Sequence, residues 1–226
     1  LKKVKQSPLL SSQRFHYVPF GIDTTIFLPK EKEAVRKKFN IPAGDFVIGV
    51  RASRQHYKGL PQFKQCLNML QLNRPVTILT FDKTGLLDEF KDRYNVIDRG
   101  WVDDQHELSD ILNAMDLFVT PSTAESFNLT AIETMACSVP VIAFETTPMV
   151  DLFRNDEAGI AVPHDDAAGL AAAIRSLAED PGKLRTLGAR GREIAVTDFT
   201  FELHAQRMLA VYTEVIDRWK KERVVR

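Results

Sequence analysis

Short apolar runs recur along the chain, each followed by a turn and then by apolar residues at helical spacing. The runs at 46–50, 76–81, 96–98, 117–120, 141–144 and 160–162 predict six strands. Several are almost continuously apolar, the pattern of strands covered on both faces. Apolar positions three and four apart predict helices over 62–72, 86–94, 104–115, 129–137 and 149–154, then over 167–179, 181–196 and 201–221. Strands alternating with helices imply an α/β fold, a Rossmann-like open parallel sheet with helices on both faces and extra C-terminal helices. In such sheets ligands lie beyond the carboxyl ends of the strands, where the strand order reverses.

Local signals sharpen the later boundaries. Asp180-Pro181 puts proline at a first helical position, and Thr200 is placed to cap the last helix. Three successive helices exceed what a sheet needs for cover. The last mixes charges with Phe201, Tyr212 and Trp219 and is expected to reach across to a partner domain. The basic polar stretch 1–14 reads as a linker from a preceding domain, 15–198 as the Rossmann-like domain and 199–226 as a C-terminal helix. No internal repeat or low-complexity segment interrupts this order.

Composition narrows the partners. The chain has 226 residues, 44% of them hydrophobic, enough to bury a core without metals or disulfides. Lys plus Arg equals Asp plus Glu at 30 each, and this zero balance speaks against nucleic acid or an anionic membrane as partner. Cys66 and Cys137 lack any CxxC spacing and read as buried thiols. No apolar run reaches the ~18 residues of a membrane span and no secretory leader pattern is present, so a cytoplasmic setting is expected. Peripheral membrane contact in a fuller protein stays open.

The common nucleotide and catalytic fingerprints are missing. GxGxxG, GxxxxGK[ST] and GxSxG do not occur, and His16, His56, His106, His164 and His204 lack metal-ligand spacing. What remains is one dense segment, 117–143, reading strand, polar loop, helix, strand. Its loop feeds a helix starting near Leu129, where free amides and the positive dipole end suit a phosphate or diphosphate. Asn128 tolerates a left-handed turn into that helix. Glu125 lies at the loop mouth and Glu133 eight residues on, where a carboxylate can accept two hydrogen bonds from a vicinal diol. On spacing alone the two acids equally fit a helix start that favours negative charge with no ligand. A second cluster, Arg51-Ala-Ser-Arg54-Gln-His-Tyr-Lys58-Gly59, follows the first strand. Its cations would neutralise a leaving diphosphate, or simply form a solvated basic loop.

Taken together, these motifs resemble the C-terminal half of retaining glycosyltransferases of the GT-B fold, in the group-1 or family-4 class. The family pattern Pro-Asn-Gly-Val-Asp-x-x-x-Phe meets Pro19-Phe-Gly-Ile-Asp23-Thr-Thr-Ile-Phe27 here. Its Gly-Arg with Lys-Gly meets Arg51 with Lys58-Gly59. Its Pro-Ser-x-x-Glu-Gly-Phe-Gly-Leu-x-x-x-Glu-Ala-Met-Ala meets Pro121-Ser-Thr-Ala-Glu125-Ser-Phe-Asn-Leu-Thr-Ala-Ile-Glu133-Thr-Met-Ala. The order holds over roughly 15–165.

The resemblance implies a donor-binding domain that takes a UDP- or GDP-sugar and hands its hexose to an acceptor hydroxyl. It implies diphosphate contacts from Arg51 and Lys58, with Arg54 a rival for the Arg51 role because two extra residues separate Arg51 from Lys58. Glu125 would lie by the transferred sugar and Glu133 on the ribose hydroxyls. Ser126, Phe127, Asn128 and Leu129 would present amides to sugar or phosphates, and the base would rest near Gly100 and Trp101. No metal or other cofactor is expected, and acceptor recognition would belong to an N-terminal half. Departures are Asn128 and Ser138 where glycine is usual, and Thr147-Pro148 where the family pairs two glycines. Alternatives are a non-catalytic nucleotide-sugar-binding module, a GT-B sugar-nucleotide epimerase and, ranking below them, a phosphorylase.

Overall fold

The computed structural model of the chain describes residues 8–9, 13–145, 148–154 and 157–224. Strands β1 (Phe46–Ala52), β2 (Val76–Asp82), β3 (Asn95–Asp98), β4 (Leu117–Thr120), β5 (Val141–Phe144) and β6 (Gly159–Val162) form one sheet. Its order is β3-β2-β1-β4-β5-β6, with every pair parallel. The order runs outward in both directions from the β1/β4 pair, so the switch point falls between these two strands.

Helices α1 (Lys32–Lys38), α2 (Leu60–Met69), α3 (Gln105–Ala114), α4 (Leu129–Ala136) and α5 (Met149–Phe153) lie between or before the strands. They are followed by α6 (Ala167–Glu179), α7 (Pro181–Asp198) and α8 (Phe201–Val224). Alternate side chains of the strands feed two cores. Val47, Leu79, Phe118 and Val141 face Ile111 and Leu112 of α3 and Ile132 and Met135 of α4. Phe46, Ile48, Val50, Ile78 and Val119 face Phe63 and Leu67 of α2 and Leu170 and Ile174 of α6. Cover on both faces explains the near-continuous apolar strands.

Two local expectations differ from the structure. The segment 86–94 forms consecutive turns with a short 3-10 turn at Asp88–Phe90 rather than a helix. Leu87, Phe90 and Tyr94 are buried there at helix-like spacing, yet these contacts need no continuous hydrogen-bonded run. Helix α1 does not register in the apolar pattern because its seven residues bury only Val35 and Arg36. It is held by the Glu31 cap and by Arg36 Nη2, which donates to Asp116 Oδ2 at 2.7 Å.

The later boundaries fall as their caps dictate. Asp180 accepts from the Lys183 N–H at 2.8 Å, and Thr200 Oγ1 from the Leu203 N–H at 3.2 Å. The segment before α1 is tied to the start of α8 by an Ile22–Thr200 bridge and by the Ile22 N–H to Phe199 O bond of 2.8 Å. Along α8, Leu209, Tyr212, Val215, Ile216 and Trp219 are exposed.

Candidate functional site

At the switch point the loops after β1 and β4 are bound to each other. Gly59 adopts φ +72°, and a Cβ built on it would stand 1.7 Å from the Pro121 carbonyl oxygen. Only glycine both takes this left-handed conformation readily and lets the two backbones approach so closely. The Thr123 N–H adds a bond to Tyr57 O at 2.8 Å. This contact sets Lys58, at the end of the His56–Lys58 turn, over the second loop. Its Nζ donates to Glu125 Oε1 at 2.6 Å, in a pair whose side chains are 20% and 9% exposed.

The start of α4 is built around Asn128, which caps the helix in a left-handed conformation (φ 64°). Its Oδ1 accepts from the Ala131 N–H and its Nδ2 donates to Thr120 Oγ1 at 2.8 Å. Asparagine tolerates this conformation better than most residues, which explains how it stands where glycine is usual. Ser138 also adopts positive φ, at 60°, directly after the helix. Among the described residues, the amides of Ser126, Phe127, Leu129 and Thr130 donate no hydrogen bond within the chain. They form a cluster of free donors at the positive end of the helix dipole.

Two cavities meet here. A small one of about 20 Å³ is lined by Arg51, Lys58, Ser122, Glu125, Asn128 and Thr130, among others. The other, of about 240 Å³, is lined by Arg51, Asp82, Trp101, Leu129, Thr130 and Glu133, among others. Arg51 and Thr130 belong to both, so the two cavities adjoin at these residues. Burial pushes the Glu133 carboxyl up to about 7, against the opposing pull of Arg51. Arg51 Nε donates to Asp82 Oδ2 at 3.0 Å.

The other sequence-predicted residues distribute around this centre. Gly100, at φ 64°, accepts the Asp82 N–H at 2.7 Å and sets the turn before Trp101. Trp101 stands on the cavity wall, 61% exposed, with Lys83 Nζ 5.8 Å from its ring centre. The side chains of Ser126 and Phe127 turn toward a third cavity, of about 370 Å³, shared with Tyr17, Pro148 and Asp151. Phe127 packs edge-on against Phe20 and Phe199 there. Arg54 is exposed and lines neither cavity at the switch point, whereas Arg51 lines both. Pro148 precedes α5, and Thr147 lies outside the described residues.

Sequence reasoning did not single out Asp82, Thr120 or Thr130. A lone acid at the end of a strand carries a signal only once the neighbouring strand is known, and β1–β2 pairing sets Asp82 beside Ala52. Among the described residues, no group of three or more His, Cys, Asp or Glu is arranged to hold a metal ion. No described helix is long and apolar enough to cross a membrane.

Residues 31–194 match the family model described as "Glycosyl transferases group 1". Among curated proteins, the chain is similar to alpha-maltose-1-phosphate synthase of Mycolicibacterium smegmatis, at 25% identity over 227 residues. That alignment covers 92% of this chain and 59% of the relative. Similarity to D-inositol 3-phosphate glycosyltransferase 1 of Catenulispora acidiphila is 28% over 221 residues, covering 91% and 53%. The chain thus spans little more than half the length of these relatives.

Among solved structures, sucrose-phosphate synthase from Thermosynechococcus elongatus superposes with a TM-score of 0.82 at 26% identity, over 96% of this chain and 56% of that one. Anabaena Alr3699/HepE, solved with UDP and glucose, superposes at 0.76 and 19% identity, over 87% and 56%, a likeness of fold alone.

Proposed function

The chain belongs to the group 1 glycosyl transferases, and on that premise we propose that it is the donor-binding domain of a retaining, family-4-type hexosyltransferase using a UDP- or GDP-sugar. The observation that carries this reading is the junction of the two cavities at the β1/β4 switch point. Arg51, Lys58, the carboxylates of Glu125 and Glu133 and the free amides of Leu129 and Thr130 converge there. An anionic diphosphate suits such a cluster. The nucleoside would occupy the larger cavity, with the base near Gly100 and Trp101 and the ribose diol on Glu133.

In the reaction the anomeric carbon–oxygen bond breaks, its electron pair leaves with the nucleoside diphosphate, and an acceptor hydroxyl attacks and passes its proton to the leaving diphosphate. Arg51, Lys58 and the amides at the start of α4 would stabilise the charge growing on the leaving oxygen. They supply positive charge there directly, so the reading invokes no metal. Lys58 holds Glu125 at 2.6 Å, a pairing that would keep that carboxylate in place for the transferred sugar.

We further propose that 15–198 forms this domain, that 1–14 links it to an acceptor-binding half, and that α8 lays its exposed apolar residues on that half. Activity would need both halves to close over the donor, in a cytoplasmic setting. The 226-residue chain alone should bind nucleotide weakly and transfer nothing.

A thermal-shift panel of UDP, GDP, ADP and their sugars tests the binding claim. Stabilisation of about 2–3 kcal/mol is expected for the cognate nucleotide at ~100 times its Kd. No response to any nucleotide would refute the donor site. Pro148, which offers no N–H beside the third cavity, favours a second reading as a non-catalytic binding module. Unchanged transfer by the two-domain protein carrying Lys58→Ala and Glu125→Ala would favour that module.

A further inference from the structure

Asp82 closes β2 with a carboxylate that faces the larger cavity, yet its residue is only 8% exposed. A buried carboxylate is retained only where a cation or hydrogen-bond donors meet it. Here the partner is Arg51 Nε, at 3.0 Å. The backbone adopts φ +91°, a region that residues other than glycine rarely occupy. Its N–H is held by Gly100 O at 2.7 Å, and the Lys83 N–H by Ala52 O at 3.1 Å, so the ends of β1 and β2 and the Trp101 turn are fastened around it.

Strained backbone of this kind persists where the surroundings over-determine it, and it concentrates at functional sites. Three charged groups line this cavity: Arg51 from β1, Asp82 from β2 and Glu133 from α4. Two acids therefore compete for one guanidinium. Among the described residues, binding through Nε leaves both terminal NH2 groups of Arg51 without a hydrogen bond.

We infer that Asp82 is a positioning residue of the donor site. It draws Arg51 away from Glu133, so that the guanidinium's free edge meets the diphosphate and Glu133 keeps its oxygens for the ribose diol. The inference rests on the donor-site reading above. Without the Asp82 carboxylate, Arg51 would turn to Glu133 and satisfy an acid that the ligand is meant to satisfy. Asp82 touches no reacting atom in this account and acts through Arg51.

The test compares the 226-residue chain with its Asp82→Asn form by two measurements. The first follows the titration of Glu133 by carboxyl 13C NMR without ligand. In the starting protein its midpoint should lie at about 7, raised by burial. In Asp82→Asn it should fall by about one pH unit or more, as an opposite charge drawn close produces. The second is calorimetric titration with UDP-glucose and GDP-mannose at pH ~8, where the variant should bind about tenfold more weakly.

An unmoved Glu133 midpoint overturns the inference whatever the affinities do, since Arg51 cannot turn to Glu133 without lowering it. A lowered midpoint with unchanged affinity overturns it too. If the unsubstituted chain binds neither nucleotide sugar, the donor-site reading falls and takes the inference with it. If it binds and Asp82→Asn matches it in both measurements, only the inference falls. Asp82→Ser, smaller and equally uncharged, repeats the comparison should Asp82→Asn lose its folded spectrum.

Discussion

Glu133 is the residue at which the fold and the proposed ligand make opposite demands, and replacing it with Gln separates them. Burial lifts its carboxyl from the usual 4.5 to about 7, while Arg51 pulls the other way. Folding therefore favours the protonated form. The destabilisation from holding the ionised form is complete above about 7, shrinks as pH falls toward 4.5 and is gone below that value. At about 1.36 kcal/mol per pH unit, the whole difference is on the order of 3 kcal/mol.

Glu133→Gln removes the charge at nearly constant volume, so it should stabilise the chain at pH ~8 by about 2 kcal/mol and leave stability at pH ~5 almost unchanged. The same substitution should abolish measurable nucleotide-sugar binding, because a neutral amide accepts from a diol less well than a carboxylate. Urea denaturation at the two pH values, read by circular dichroism, measures the first effect and calorimetry the second. Equal stabilisation at both pH values would mean that repacking, not charge burial, is responsible. No stabilisation at pH ~8 would refute the reasoning altogether.

Three more outcomes follow from the loop geometry. Gly59→Ala, which would bring a Cβ to 1.7 Å from Pro121 O, should cost at least about 2–3 kcal/mol in chemical denaturation and separate Lys58 from Glu125. Lys58→Ala leaves the 9%-exposed Glu125 side chain without its cation and should cost about 1–3 kcal/mol, part of which Lys58→Ala/Glu125→Ala should restore in a double-mutant cycle. Ser138→Gly, at φ 60° just past α4, should raise stability by about 0.5–1 kcal/mol, seen as a higher Tm with binding unchanged.

The sheet was legible in the chain because its strands are covered on both faces and announce themselves as apolar runs. All six lie within one or two residues of their expected places. Where apolar spacing had no hydrogen-bonded helix behind it, as at Leu87, Phe90 and Tyr94, periodicity misled. Where a helix rests on a cap and an ion pair, as at Glu31 and Arg36, periodicity was silent.

The candidate site was half legible. Arg51, Lys58, Glu125 and Glu133 stand out as charges at strand and helix ends, and the structure gathers them around two adjoining cavities. The strand order that makes β1 and β4 neighbours is not written in any local pattern. Nor is the contest of Asp82 and Glu133 for Arg51, which arises only once three elements converge. Arg54 illustrates the converse, since its spacing recommended it while the turn at His56–Lys58 leaves it outside both cavities.

The most direct test of a donor site at the switch point is an amide NMR titration of the 226-residue chain with UDP-glucose and GDP-mannose. The free amides of Ser126, Phe127, Leu129 and Thr130 should move most, together with those from Arg51 to Gly59 and at Gly100 and Trp101. Perturbations confined to the opposite, amino-terminal edge of the sheet, or no perturbation by either nucleotide sugar, would contradict it.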